Sequence, residues 1–324
     1  MGKLRVAASG LLACLMFAQG VACAAAALLG QGGRFRPGLD ILTHFAPFWL
    51  AGALVVVAYA LLLAAPRLRL AFLLLGGVGT IAALSLVAPE FLRPTSPRAP
   101  PNAPDQLKVI QFNAWGRNDE INRTAQWVAD QDADIVVMEE ARPAMRDAVL
   151  ARRPYVVTCP RCSVVIFSKA TPIASGAPRT PRGQPRPPIA LATFSSSVGD
   201  FTVVGTHYTW PTDGALQQRQ GQELGRILSA YPKDTMILSG DFNSTPWSFS
   251  RRREDQMFGM ERRTKALFSW PAGEFSGRHI KAPFPFLPID HVYAGKAWRT
   301  VSVKRGPRLG SDHYPVIVTL AHVP

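Results

Sequence analysis

The chain has 324 residues, 48% of them hydrophobic, and a formal net charge of +14. Its apolar residues are concentrated in 1–92, which excludes a uniformly water-soluble chain; of its four cysteines Cys14 and Cys23 lie in apolar segments, and the remaining two are too few for a tetrahedral zinc site unless histidines join them. The charge divides as +6 over 1–99 and +8 over the remainder. That balance suits an anionic partner such as nucleic acid, a phospholipid headgroup or a phosphate ester, or else a basic surface with no specific partner.

Three apolar runs follow one another at 6–30, 41–65 and 70–89. About 20 apolar residues cross the hydrocarbon core of a bilayer, so each qualifies as a transmembrane helix. Lys3 and Arg5 before the first run also permit a signal peptide there, although the run is long for one. Arg34, Arg36, Arg67, Arg69, Arg93 and Arg98 fall on both sides of the expected membrane, so the positive-inside rule chooses no orientation. Three spans put the N-terminus and the C-terminal domain on opposite faces. A cytoplasmic N-terminus then places that domain in the periplasm or outside the cell. Residues 93–104 carry prolines at 94, 97, 100, 101 and 104 and read as a stiff, extended linker.

Residues 105–324 read as one domain of alternating strands and helices. A strand over 107–112 ends at Asn113, and a helix follows over 120–130. The strand 134–138 ends in Glu139-Glu140. After a short helix (142–150) and a strand (163–167), the Pro/Gly/Arg-rich stretch 171–188 is a loop. Two strands, 189–195 and 201–206, form a hairpin around Val198-Gly199-Asp200, and the second ends at His207. An amphipathic helix over 216–230 precedes the apolar run 235–239. There Gly240 is expected to allow a sharp turn. If extended backbone persists past it, Asp241 and Asn243 point the same way. A strand opens at Asp290, with 298–303 as its expected partner, and Asp312-His313 precede the last strand, 315–320. Cys159 and Cys162 suit a local loop disulfide in an oxidising compartment.

Strand after strand therefore ends or begins in a side chain that binds metal, phosphate or protons: Asn113, Glu140, His207, Asp241 with Asn243, Asp290, and Asp312 with His313. Each has an ordinary explanation as a turn residue, a helix-start carboxylate or a core histidine. Their recurrence points to one site. The ordered series Phe-Asn-Ala-Trp, Met-Glu-Glu, Gly-Thr-His, Gly-Asp-Phe-Asn, Ile-Asp-His and Ser-Asp-His-Tyr-Pro resembles that of the endonuclease/exonuclease/phosphatase superfamily, over about 107–320. Its members include pancreatic-type deoxyribonucleases, apurinic endonucleases, neutral sphingomyelinases and inositol polyphosphate 5-phosphatases.

The resemblance implies an α/β (α+β) fold of four layers, two packed β-sheets with helices outside, preceded here by the transmembrane helical region. It implies a divalent-metal-dependent phosphoric ester hydrolase using Mg²⁺ or Mn²⁺, hard cations that take oxygen ligands. Glu140 would be the main metal ligand, supported by Asn113, with Asp312 near the metal. His313 would pair with Asp290, and Asp241 is the other candidate base. Asn243 would donate to a phosphate oxygen, and His207 would act at the phosphate or leaving group. The expected substrate is an anionic phosphate ester, nucleic acid or phospholipid; no protein partner is predicted. A non-catalytic phosphate- or nucleic-acid-binding membrane module on the same fold is the competing expectation.

Some features depart from the family pattern or stand outside it. Glu139 occupies a position where Gln is usual; it either strengthens metal binding or sits on the opposite strand face. Trp115 stands where apurinic endonucleases carry Asp. No Walker-type phosphate loop, zinc finger or RNA-recognition motif is present. Arg179, Arg182 and Arg186, with the basic region 251–265, are candidates to attract substrate, and Trp210 and Trp247 are candidates to stack on bases, touch lipid or pack in the core.

Overall fold

The computed structural model describes residues 2–178, 186–197, 199–273 and 281–323. They form two compact units: Met1–Arg93 together with Trp247–Arg252, and Pro94–Pro246 together with Arg253–Pro324.

The N-terminal unit contains α1 (Gly2–Gln31), a 3-10 stretch (Pro37–Phe45), α2 (Ala46–Leu62) and α3 (Pro66–Leu92). Three segments, Val6–Arg34, Pro37–Leu62 and Pro66–Leu92, have mean hydropathies of 2.1, 2.1 and 2.3 and the length to cross a bilayer, consistent with a membrane anchor. Small residues set the helix spacing. A Cβ on Gly76 would lie 2.8 Å from Val57 Cγ2, so glycine lets α3 approach α2. Trp247 belongs to this unit, where it is fully buried and its Nε1 donates to the His44 carbonyl at 3.1 Å. It is a core residue and not a stacking platform.

In the C-terminal unit the elements run β1 (Gln106–Asn113), α4 (Ile121–Asp130), β2 (Ile135–Glu139), α5 (Pro143–Leu150), β3 (Val156–Thr158) and β4 (Val164–Ser168). They continue with β5 (Ala174–Gly176), β6 (Ile189–Phe194), β7 (Phe201–His207), α6 (Gly214–Leu228) and β8 (Ile237–Asp241). Helix α7 (Phe249–Phe258) begins inside the N-terminal unit, and β9 (Glu261–Arg262), β10 (Asp290–Ala294), β11 (Trp298–Arg305) and β12 (Val316–His322) complete the chain. One sheet has the order β11-β12-β1-β2-β4-β3, the other β5-β6-β7-β8-β10-β9. Each has a parallel pair near its middle, β1 with β2 and β7 with β8, joined through a helix as parallel strands require.

Strand alternation sorts the core into layers. Val109, Ile135, Val137, Val203, Ile237, Val292 and Val318 point between the sheets. Their neighbours Ile110, Val136 and Met138 pack under α4 and α5, while Val204 and Leu238 pack under α6. The result is helix, sheet, sheet, helix, the four layers expected. The Asp213 side chain caps α6 by accepting from the Leu216 N–H at 2.9 Å.

Four details differ from the expectations. Strand β11 pairs with β12 in the first sheet, whereas β10 pairs with β8 and β9 in the second. Adjacency in sequence suggested a hairpin that the sandwich topology splits. The proline-rich stretch is not a free tether, because the Thr300 N–H donates to the Pro97 carbonyl and the Ala99 N–H to the Thr300 carbonyl. Gly240 lies within β8, where a Cβ would sit 1.9 Å from the Thr206 carbonyl oxygen; its role is close strand approach. In the basic region Arg251, Arg262 and Arg263 are buried. The Arg262 guanidinium pairs with Asp255 at 3.0 Å, and that of Arg263 donates to the carbonyls of Ala294, Gly295 and Trp298, so these charges do not form a substrate-attracting surface. Arg179, Arg182 and Val198 lie outside the described residues.

Candidate active site

The same alternation that fills the inter-sheet core places the polar residues. Gln111 and Asn113 continue the inward face of β1 beyond Val109, and Glu139 continues that of β2 beyond Val137. In the facing sheet, His207, Asp241 and Asp290 stand side by side, because His207 and Asp290 are both Cα partners of Asp241. Apolar packing thus gives way to a polar cluster at one end of the sandwich.

His313 sits among these groups. The Ser311 hydroxyl donates to the Asn113 carbonyl at 2.7 Å and accepts from the His313 N–H at 3.0 Å, fastening this loop to the end of β1. The ring then places Nδ1 2.8 Å from Asp290 Oδ2 and Nε2 3.5 Å from Asp241 Oδ2. Burial alone would lower the histidine pKa, but the charges of Asp290 and then Asp241 outweigh it and raise it well above the usual value. Asp241 is pushed up to about 6, by burial first and by Asp290, against the opposing pull of His313.

Glu140 leaves the strand. Its backbone is left-handed, with φ of 52°, which turns the side chain away from the regular strand direction. Its Oε1 accepts from Asn113 Nδ2 at 3.2 Å, and its Oε2 accepts from the Gly116 N–H at 3.0 Å. Asn113 Nδ2 also donates to Asp241 Oδ2 at 3.1 Å, so one amide ties the two carboxylates together. Burial works to raise the Glu140 pKa; the Gly116 N–H, His207 and Asn113 prevail and hold it below its usual range. His207 Nε2 lies 3.8 Å from Glu140 Oε1 and 3.6 Å from Asp241 Oδ2.

Extended backbone does not persist beyond Asp241. Asn243 has φ of 47°, and its N–H donates to Asp241 Oδ1 at 2.8 Å, forming a local turn closed by the aspartate. The Asn243 amide donates to the Tyr208 carbonyl at 2.9 Å and faces Asp241 Oδ2 at 3.5 Å. Asp312 is buried and accepts from Trp270 Nε1 at 3.3 Å through Oδ2, while its buried Oδ1 takes no hydrogen bond. Its pKa is raised, chiefly by burial and also by the charge of Glu140.

These residues fit a hard divalent cation. Glu140 and Asp312 are oxygen donors whose negative charges act on each other, and the buried, unpartnered Asp312 Oδ1 is the kind of atom a cation would satisfy. Asn113, expected as a further ligand, turns its amide NH2 to Glu140 while its Oδ1 accepts from the Trp115 N–H at 2.9 Å, so it orients the carboxylate. A second group, Asp241, Asp290 and His313, has ligand atoms within 4.8 Å of one another. There the short His313–Asp290 hydrogen bond already uses the ring's Nδ1, so proton chemistry suits it better.

Sequence reasoning did not single out two participants, Gln111 and Trp270. Gln111 Nε2 donates to Asp290 Oδ1 at 2.7 Å and to Glu139 Oε2 at 3.0 Å, bridging the two sheets beneath the site. A polar residue two positions before Asn113 on the inward face was the available signal. Glu139 is therefore not on the opposite face; its Oε2 is held by Gln111 beneath the site, and its buried Oε1 takes no hydrogen bond. Burial, then the charges of Asp290 and Asp241, raise its pKa well above the usual carboxylate value. Trp270 packs edge-on against the half-exposed Trp210, with ring centroids 6.4 Å apart, beside Asp312. No local pattern marks it.

Paired strand-end carboxylates, an Asp–His pair and an oxygen-rich corner on a two-sheet sandwich define a phosphoesterase-type fold. The model of the endonuclease/exonuclease/phosphatase family matches residues 110–313, and the chain belongs to that family. No curated protein matches it by sequence. Among solved structures it is similar to the endonuclease/exonuclease/phosphatase from Bacteroides vulgatus (TM-score 0.56, 16% identity, covering 67% of this chain and 99% of that one). It is also similar to D. rerio TDP2 complexed with single strand DNA product (TM-score 0.53, 16% identity, 66% and 98% covered). A third is sphingomyelinase C from Streptomyces griseocarneus (TM-score 0.50, 19% identity, 67% and 99% covered). The share of this chain left uncovered corresponds in size to the N-terminal unit and the linker after it.

Proposed function

We propose that this protein is a membrane-anchored, divalent-metal-dependent hydrolase of phosphodiester bonds, with its catalytic unit in the periplasm or outside the cell. The observation that carries the reading is His313 held between Asp290 and Asp241, beside Glu140 and Asp312 in the same polar cluster. Glu140, oriented by the Asn113 amide, and Asp312 would hold a Mg²⁺ or Mn²⁺ ion, which would supply positive charge for the phosphoryl oxygens. The protein's own groups do the rest. Asp241 accepts the proton of the attacking water. His313, kept protonated by Asp290, donates hydrogen bonds to the charge that builds on phosphorus-bound oxygens. His207, at the partly open edge of the cluster, stabilises or protonates the leaving oxygen. The Asn243 amide, expected to donate to phosphate, instead donates to the Tyr208 carbonyl and faces Asp241 Oδ2, where it limits how Asp241 turns.

The substrate is an anionic phosphodiester. One structural relative is named a sphingomyelinase and another holds a single-strand DNA product, so lipid and nucleic acid share the chemistry. The test uses full-length protein in detergent with Mg²⁺ or a chelator, on supercoiled plasmid and on sphingomyelin vesicles, beside His313→Ala. Metal-dependent cleavage of either substrate, lost in the variant, supports the reading and assigns the substrate class. Binding without cleavage of either would favour the non-catalytic module.

A further inference from the structure

Beneath His313 lies a buried polar layer that the reaction as described does not use. Gln111, Glu139 and Asp290 are each fully buried, and all three belong to the C-terminal unit. They come from both of its sheets: Gln111 from β1, Glu139 from β2 and Asp290 from β10. Their surroundings are apolar. Gln111 is in register with Val137 on β2 and Val316 on β12, both part of the core between the sheets. Polar groups in such a place are costly unless they satisfy one another.

A primary amide carries two N–H donors on one nitrogen. Gln111 directs one to Asp290 Oδ1 at 2.7 Å and the other to Glu139 Oε2 at 3.0 Å. Two acceptors fix the direction of the amide, because the reverse orientation would set its carbonyl oxygen against two carboxylates. Glu139 thereby holds Nε2 toward Asp290. The other Asp290 oxygen, Oδ2, meets His313 Nδ1 at 2.8 Å. Among the described residues no second side chain donates to Oδ1. The torsion that turns an aspartate's carboxylate plane is broad, so a hydrogen bond to Oδ2 alone would leave the plane free to rotate. With Gln111 in place it is held at both oxygens. The donor is also neutral. A lysine or arginine there would hold Oδ1 as well, but it would compete with His313 for the charge of Asp290. An amide sets the direction and leaves that charge to the imidazole.

We propose that Gln111 is a positioning residue for the Asp290–His313 pair, with Glu139 as the acceptor that fixes the direction of its amide. The inference rests on the phosphoesterase reading above and deepens it. Neither residue touches the substrate. Both act through the plane of the Asp290 carboxylate and, from there, through the direction of the His313 ring.

The test uses full-length protein in detergent and compares wild type with Gln111→Met, with Gln111→Met combined with Glu139→Met, and with Tyr155→Phe. Methionine has nearly the length of glutamine and no N–H. The double variant also removes the carboxylate that Gln111→Met strands, so it separates lost positioning from the cost of an unpaired buried group. Tyr155 is buried in the same unit, where its hydroxyl donates to the Ala133 carbonyl at 3.0 Å; its loss is the control for general loosening. Two quantities are read: turnover of bis(p-nitrophenyl) phosphate with Mg²⁺, and the low-field proton resonance of His313 Nδ1–H in protein with isotope-labelled histidine, assigned by its loss in His313→Ala. In Gln111→Met kcat should fall by about tenfold or more, since small misplacements of catalytic groups cost up to about 100-fold, with KM within about twofold. The resonance should shift or disappear. The double variant should melt at a higher temperature than Gln111→Met yet keep the low kcat and the altered resonance. Tyr155→Phe should melt earlier than wild type with kcat and resonance unchanged. A folded Gln111→Met protein with wild-type kcat or an unchanged resonance overturns the proposal. So does a double variant that regains wild-type kcat, because the stranded Glu139 would then have caused the loss, and so does an equal loss of kcat in Tyr155→Phe. If wild type does not cleave the diester, the phosphoesterase reading fails; the resonance alone then decides this inference, and an unchanged signal in Gln111→Met refutes it. Should Gln111→Met not fold, the double variant is judged by the same criteria, and after it Gln111→Asn, whose amide is one methylene too short to reach both carboxylates.

Discussion

Asp241 and Asp290 stand directly opposite each other on antiparallel β8 and β10, and His313 touches both, at 3.5 Å and 2.8 Å. Like charges in that register repel. The buried imidazole relieves the repulsion by holding a proton, which is why its pKa is raised although burial opposes this.

A pH profile follows from these shifts. Asp241, pushed up to about 6, must lose its proton to act as base, so kcat/KM should climb through about pH 6. It should fall again only above the raised pKa of His313, well past the ordinary histidine value. Asp290→Asn removes the largest charge holding that proton. The alkaline limb should then move to lower pH, with kcat down by about 10²–10⁴-fold. An unmoved limb would show that Asp290 does not control His313. Folding obeys the same linkage. Both groups bind their proton more tightly when folded, so their stabilising contributions are complete at low pH. That of Asp241 is lost as pH rises through about 6, and that of His313 at higher pH.

Glu139 gives a stability prediction. Its folded pKa lies well above the unfolded value, so wild type loses stability as pH rises through that folded pKa. Glu139→Gln has no proton to lose and keeps an acceptor for Gln111. Thermal melts should show a gain over wild type that is near zero at pH 5 and grows toward pH 9, by about 2–4 °C for each kcal/mol relieved. Equal melting temperatures at both pH values would mean that this carboxylate is not strained by ionising.

Metal dependence should reside at Glu140. Chelation should abolish turnover and added Mg²⁺ restore it. Glu140→Gln, which keeps an oxygen acceptor but removes the charge, should raise the Mg²⁺ concentration for half-activity by at least about tenfold. A variant with an unchanged metal requirement would place the ion elsewhere.

Gly240→Ala should be strongly destabilising, by about 3 kcal/mol or more, because the new methyl would meet the Thr206 backbone oxygen rather than a yielding side chain. Denaturant unfolding measures this directly. A loss under about 1 kcal/mol would contradict the tight approach of β7 and β8.

Several strand-end residues, among them Asn113, Glu140, His207, Asp241 and Asp290, were readable in the chain because strand alternation and the ordered series of short motifs are local properties. Helices α4, α5 and α6, too, came within one or two residues of their observed ends, whereas the apolar runs missed theirs by up to five and α7 was not read. Pairing was harder to read. Trp298–Arg305 looked like the partner of Asp290–Ala294 by proximity alone, but register between strands depends on which sheet buries them. Arg251, Arg262 and Arg263 looked like part of a basic surface, because sequence carries charge but not burial.

The sequence by itself determined that apolar segments long enough to span a membrane precede a domain whose strands end in proton-, metal- and phosphate-binding side chains. Those features follow from hydrophobic length, period and residue type, which act over a few residues at a time. Only the tertiary structure decided that Glu140 and Asn243 turn on left-handed backbone. It also brought Gln111 and Trp270 to Asp290 and Asp312, from 179 and 42 residues away. In the same way Asp40 comes to hold amides 209 and 210 positions later in the chain. Such contacts form only when the folded chain brings distant segments together, and burial then makes each of them consequential, because an unpaired polar group away from water is costly.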